Sequence, residues 1–125
     1  DLEINFSTEK PLVVFGSSAS LKQVFLNIAR NAIEAMENGG KLSISTSLLN
    51  GRAHVTFQDT GPGIPDENMA ALTKPFFTTK PGGTGLGLSI SSSIVKMMGG
   101  DLSIKSRLGE GTTVNISLPV YEGSV

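Results

Sequence analysis

The sequence predicts an α/β sandwich built on a mixed sheet. Three observations predict it. Runs of strand-like alternation occur with helical segments between them. Two turn signatures, Asn50-Gly51 and Gly109–Gly111, each join neighbouring strands into a hairpin. Two amphipathic helices each close on a glycine pair, Gly39-Gly40 and Gly99-Gly100.

Residues 2–8 alternate, with Leu2, Ile4 and Phe6 on one side, as a half-buried strand does. A second short strand is expected at 12–15. The stretch 17–20 offers serine caps, and Ser20 with Gln23 fits a capping box. A helix is expected over 21–37, with Leu21, Val24, Phe25, Ile28, Ala32 and Met36 as its apolar stripe. Asn38-Gly39-Gly40 ends it, because glycine accepts the left-handed cap.

Strands are expected at 41–49 and Arg52–Asp59, joined at Asn50-Gly51, a strong hairpin signal. Gly61-Pro62-Gly63-Ile64-Pro65 forbids regular structure. A short helix is expected at 66–72, then a Thr-, Pro- and Gly-rich loop over 74–84. A second long helix is predicted over 86–98, followed by strands at 101–106 and 112–118. Residues 119–125 read as a fraying tail.

The 125 residues suit one domain, expected to span 1–125, and are enough to bury a core. The chain opens on Asp1, so it is expected to be an excised fragment. A net charge of −1 argues against general binding to nucleic acid or membrane. The absence of cysteine excludes disulfides and thiolate metal sites, and fits a cytoplasmic location. No apolar run approaches membrane length and no signal peptide is visible. Many of the fifteen glycines crowd into 61–63, 82–87, 99–100 and 109–111, which marks backbone-shaped loops.

Asn27, Asn31, Glu34 and Asn38 are spaced four, three and four apart, one polar line beside the apolar stripe. Asparagine is not favoured inside helices. Carbonyl and carboxylate oxygens are the hard ligands Mg²⁺ prefers. A solvated face that happens to hold amides accounts for the spacing equally well. Asp59 ends a strand and opens Asp59-Thr60-Gly61-Pro62-Gly63. It reads either as a carboxylate at a pocket wall, with glycines admitting a flat ligand, or as an ordinary turn.

Gly82-Gly83-Thr84-Gly85-Leu86-Gly87-Leu88-Ser89 leads into a helix, whose free N–H groups attract phosphate. Lys80 stands just upstream. The alternative is a flexible loop with a helix cap. The segment is not a Walker A loop, because Leu88 stands where Lys is required. Nor is it a dinucleotide fingerprint, because Ile90 replaces the third glycine. Phe76 and Phe77, in an otherwise polar loop, suit a lid anchor or core packing. His54 is the only histidine. It sits inside a predicted strand, where a structural role is expected, since a phospho-acceptor must be approachable.

Taken in order, these segments resemble the boxes of the GHKL superfamily, which gathers gyrase, Hsp90, histidine kinases and MutL. Residues 23–36, with Asn27 and Asn31, resemble the histidine-kinase N box. Residues 59–65 resemble the G1 box, 75–80 the F box, 83–90 the G2 box, and 109–113 the last Gly-Thr element. The resemblance covers nearly the whole chain. It implies a Bergerat-type two-layer sandwich: a mixed, mostly antiparallel sheet of about five strands, with about three helices on one face. It implies ATP and Mg²⁺ as ligands.

By the same resemblance, Asn31 would hold Mg²⁺ and Asn27 would support the phosphates or their water. Asp59 would take the adenine amino group, with Gly61 and Gly63 letting the strand end approach the base. Thr112 would close the adenine pocket. Gly85, Leu86 and Gly87 would present N–H groups to the phosphates, with Thr84 and Leu88 beside them. The lid would run from Ile64 to Thr84 and contribute Phe77, Thr79 and Lys80. In the ATP-hydrolysing branch a Glu stands where Asn27 stands here, and an amide does not take up a proton at neutral pH. That suits transfer of the γ-phosphoryl group to a histidine. Glu34 departs from the Lys often found in histidine kinases. Asn-Ala-Ile-Glu-Ala-Met instead resembles the nitrogen-regulatory type of sensor kinase.

The implied partners are a phospho-acceptor histidine on a separate dimerisation domain and, indirectly, a response regulator. Neither nucleic acid nor membrane contact is expected. The rivals are a non-catalytic nucleotide sensor, a stand-alone ATPase, and a serine kinase acting on an anti-sigma partner.

Overall fold

The computed structural model describes residues 2–8, 18–36, 39–63, 87–107 and 109–120. Five strands form one sheet: β1 (Leu2–Thr8), β2 (Gly40–Leu49), β3 (Arg52–Asp59), β4 (Asp101–Arg107) and β5 (Gly111–Pro119). Their order is β1-β2-β3-β5-β4. β1 runs parallel to β2, and every other pairing is antiparallel. The sheet is therefore mixed and mostly antiparallel, as predicted. The expected strand at 12–15, the helix at 66–72 and the loop at 74–84 lie outside the described residues.

Two helices are described, α1 (Ser18–Ala35) and α2 (Gly87–Met97). α1 starts earlier than its expected boundary, so Ser20 lies in its first turn and is not the cap of a Ser20–Gln23 capping box. Serine is well tolerated where backbone N–H groups still lack helical partners, so the run 17–20 does not mark the boundary by itself. At the other end Gly39 N donates to Met36 O at 3.0 Å.

The stripe read from sequence faces the core. Val24, Ile28 and Ala32 of α1, Met36 just after it, and Val95 of α2 pack with Leu42, Val55, Phe57, Val114, Ile116 and Leu118 of the sheet. Phe25 meets Phe57 with ring centroids 5.9 Å apart. Burying such side chains contributes roughly 1.5–3 kcal/mol each. The Asn50-Gly51 turn has φ of 55° and 75°, both positive, as a two-residue hairpin of type I′ requires.

Strand register places the core-facing side chains in rows. Thr46, Val55, Ile116 and Leu102 form one, and Ile44, Phe57, Val114 and Ile104 the next. The last row is Leu42, Asp59, Thr112 and Ser106. The inner face is thus mainly apolar along its length and turns polar at the end where β3 leaves the sheet.

Candidate nucleotide site

Alternation along β3 puts Ala53, Val55 and Phe57 inward, and Asp59 follows them. Asp59 is 8% exposed, so its carboxylate needs partners. Its Oδ1 accepts from Gly61 N at 2.9 Å and from Thr112 N at 3.2 Å. Oδ2 has no hydrogen-bond partner among the described residues. Burial pushes the Asp59 carboxyl above its ordinary pKa, and the two N–H donors pull it partly back.

The backbone around Asp59 is closely fitted. A Cβ on Gly61 would lie 3.1 Å from Asp59 Oδ1, 3.4 Å from Met36 Cγ and 3.6 Å from Ala35 Cβ. A Cβ on Gly111, where φ is +110°, would collide with the Asp59 carbonyl oxygen. Lys41 N donates to Thr60 Oγ1 at 2.9 Å, and Thr60 N donates to Lys41 O at 3.1 Å. Gly109 N donates to Pro62 O at 2.6 Å. The segment leaving β3 is therefore tied to β2 on one side and to the β4–β5 turn on the other.

α1 reaches this end of the core through its last residue, Ala35, and Met36 directly after it, both of which border Gly61. Asn31 lies one helical turn before Ala35, and Asn27 one turn before that. Both are half-buried, flanked by the buried Ile28 and Ala32, whereas Glu34 is exposed. Neither Asn31 nor Glu34 is free of partners within the chain. The fourth member of the polar line, Asn38, lies outside the described residues. Among those described, no group of three or more His, Cys, Asp or Glu side chains is placed to hold a metal.

Of the residues the sequence singles out, the structure joins Asp59, Gly61 and Thr112 by direct bonds, and brings α1 alongside them. Gly63 follows in the same segment, with φ of 80°. Gly87 and Leu88 open α2. Ile64, Phe77, Thr79, Lys80, Thr84, Gly85 and Leu86 lie outside the described residues. His54 is half-buried on β3, with Nδ1 at 3.3 Å from Asn115 Nδ2, in keeping with a structural role.

Sequence reasoning missed Ser106, which faces Thr112 across the β4–β5 hairpin. Its Oγ is 2.9 Å from Gly111 O and 2.8 Å from Thr112 Oγ1. The signal was available. A tight turn at Gly109 pairs Arg107 with Gly111 and therefore Ser106 with Thr112.

A sheet whose core ends in a buried carboxylate, walled by glycines and flanked by an asparagine-bearing helix, defines a class. Residues 16–122 match the family described as histidine kinase-, DNA gyrase B-, and HSP90-like ATPase, and the chain belongs to it. Sporulation kinase D of Bacillus subtilis (strain 168) is 43% identical over 120 residues, which cover 96% of this chain and 24% of that protein. This chain thus spans about a quarter of that relative's length. The catalytic domain of histidine kinase ThkA superposes with a TM-score of 0.83 at 34% identity, covering 94% of this chain and 78% of that one. Full-length ShkA in complex with AMPPNP superposes with a TM-score of 0.86 at 29% identity, covering 99% and 27%. No helix among the described residues is long and apolar enough to cross a membrane.

Proposed function

We propose that this chain is the catalytic, ATP-binding domain of a sensor histidine kinase, and that it passes the γ-phosphoryl group of ATP to a histidine on a separate dimerisation domain. The observation that carries the reading is the polar end of the inner sheet face, where Asp59 is held by Gly61 and Thr112 with one oxygen free of described partners. That oxygen suits the exocyclic amine of adenine. Gly61 and Gly63 leave room for a flat base. Family membership and the AMPPNP complex of ShkA support a nucleotide as the ligand.

The donor set fits a hard cation only if phosphates and water complete its shell. Asn31 offers an amide oxygen, and no cluster of three acidic or histidine ligands stands among the described residues. Asn31 would hold Mg²⁺, and Asn27 would hold phosphate or its water. The ion, when bound, neutralises charge on the phosphate oxygens. Asn27 provides no base for water, which favours transfer over hydrolysis. The lid residues Ile64, Phe77, Thr79, Lys80 and Thr84, and the N–H groups of Gly85, Leu86, Gly87 and Leu88, complete the proposed site. A cytoplasmic setting and indirect coupling to a response regulator belong to the same reading.

In the transfer, the bond from the γ-phosphorus to its bridging oxygen breaks, a phosphorus–nitrogen bond forms on the acceptor, and ADP leaves. Incubation with γ-labelled ATP tests it. The chain alone should stay unlabelled, His54 included, and adding a dimerisation domain that carries the acceptor histidine should produce label on that domain. Label on His54, or none on the acceptor, would overturn the reading. Steady phosphate release by the chain alone would favour an ATPase instead.

A further inference from the structure

Ser106 does more than close a hairpin. This inference rests on the reading of the Asp59 end of the sheet as the base pocket. A carbonyl oxygen only accepts hydrogen bonds, so the 2.9 Å contact from Ser106 Oγ to Gly111 O commits the single hydroxyl proton of Ser106. Ser106 Oγ also lies 2.8 Å from Thr112 Oγ1. With its own proton committed, Ser106 is the acceptor in that second bond, and Thr112 is the donor. The only hydroxyl proton of Thr112 is therefore turned toward β4. β5 lies between β3 and β4, so this is the side away from Asp59. What Thr112 Oγ1 has left to offer is lone pairs.

We propose that Ser106 is a specificity-determining positioning residue, which fixes the Thr112 hydroxyl as an acceptor so that the pocket wall presents acceptors alone. Asp59 Oδ2 is an acceptor when ionised, and Thr112 Oγ1 joins it. Such a wall takes a purine whose edge carries an amine, directly or through a donating water. It leaves a purine with a carbonyl at the same position facing oxygen against oxygen there, with the neighbouring N1–H as the only donor on that edge. Without Ser106, the Thr112 hydroxyl turns freely and can donate to that carbonyl. A merely structural Ser106 predicts lost stability on truncation and no change in base preference.

The test compares ATP with inosine triphosphate, which carries a carbonyl where ATP carries the amine. Both are titrated calorimetrically into the 125-residue chain and into Ser106→Ala. The parent should prefer ATP, and Ser106→Ala should lower the ratio of affinities roughly threefold to tenfold, the span one neutral hydrogen bond carries. Ser106→Thr, which keeps the hydroxyl, should restore the parental ratio. Ser106→Cys covers the case in which alanine loosens the hairpin. It is close in size but a weaker donor and acceptor, and should also lower the ratio. A parental ratio in folded Ser106→Ala or Ser106→Cys overturns the proposal and leaves the pocket standing. No binding of either nucleotide to the parent would remove the pocket, and the proposal with it.

Discussion

Thr112 N donates to Asp59 Oδ1 at 3.2 Å across the β3–β5 pairing, and this bond, shared with Gly61 N, turns a buried carboxylate into a fixed feature of the core's polar end. A carboxylate oriented in this way has lost its rotational freedom before any ligand arrives, which lowers the cost of binding.

Asp59→Asn keeps a carbonyl oxygen for the two N–H donors but sets an NH₂ where Oδ2 stands. ATP binding should weaken by roughly 1–3 kcal/mol, the cost of a mismatched polar group. The ligand-free fold should gain stability at neutral pH, because burial raises the Asp59 pKa. The sign follows from proton binding. A raised pKa means the folded state holds more protons than the unfolded chain between the two values, so stability falls as pH rises through that window. Asp59→Asn should flatten that fall. Calorimetry and urea unfolding at several pH values read both effects, and unchanged ATP affinity would refute the assignment.

Gly111→Ala should destabilise the fold by about 2–5 kcal/mol, since it combines a left-handed φ with overlap on the Asp59 carbonyl. Gly109→Ala, at φ +82° with no described residue within 4 Å of the added Cβ, should cost only about 1–2 kcal/mol. Equal losses in urea unfolding would show that backbone conformation alone, and not the closeness of β5 to Asp59, governs the site.

Ser91 is fully buried on α2, and its Oγ has no hydrogen-bond partner among the described residues. Ser91→Ala removes an unsatisfied hydroxyl and adds helix propensity, so thermal unfolding should show a gain of about 1–2 kcal/mol. A loss would mean the hydroxyl is satisfied in solution.

Asn31→Ala should remove mainly the Mg²⁺-dependent part of nucleotide affinity. Titrations in Mg²⁺ and in EDTA should differ strongly for the parent and little for the variant. An equal drop under both conditions would exclude Asn31 as the metal ligand.

Much of this was legible in the sequence because local chemistry and global fold agree. Asn50-Gly51 and Gly109–Gly111 fix two hairpins by backbone conformation alone. The alternation of Ala53, Val55 and Phe57 carries on to Asp59 and shows that its carboxylate points inward. The 3.6-residue spacing of Val24, Ile28, Ala32 and Met36 places α1 on the core, and Asn27 and Asn31 at its edge. The start of α1 was less legible, because serine suits both a cap and a first turn. The parallel pairing of β1 with β2 depends on a long crossover and leaves no local trace. The direction of the Ser106–Thr112 bond depends on a third group, Gly111 O, and follows only once three positions are seen together.

On the proposed function, one end of the sheet selects and holds an adenine nucleotide with Mg²⁺. Titrating the chain with a fluorescent ATP analogue, with and without Mg²⁺, and displacing it with ATP or GTP, tests this most directly. Binding should depend on Mg²⁺, and ATP should reverse it at concentrations at least about tenfold below those needed for GTP, a difference of about 1.4 kcal/mol. Equal displacement by the two nucleotides, or no binding at all, would contradict it.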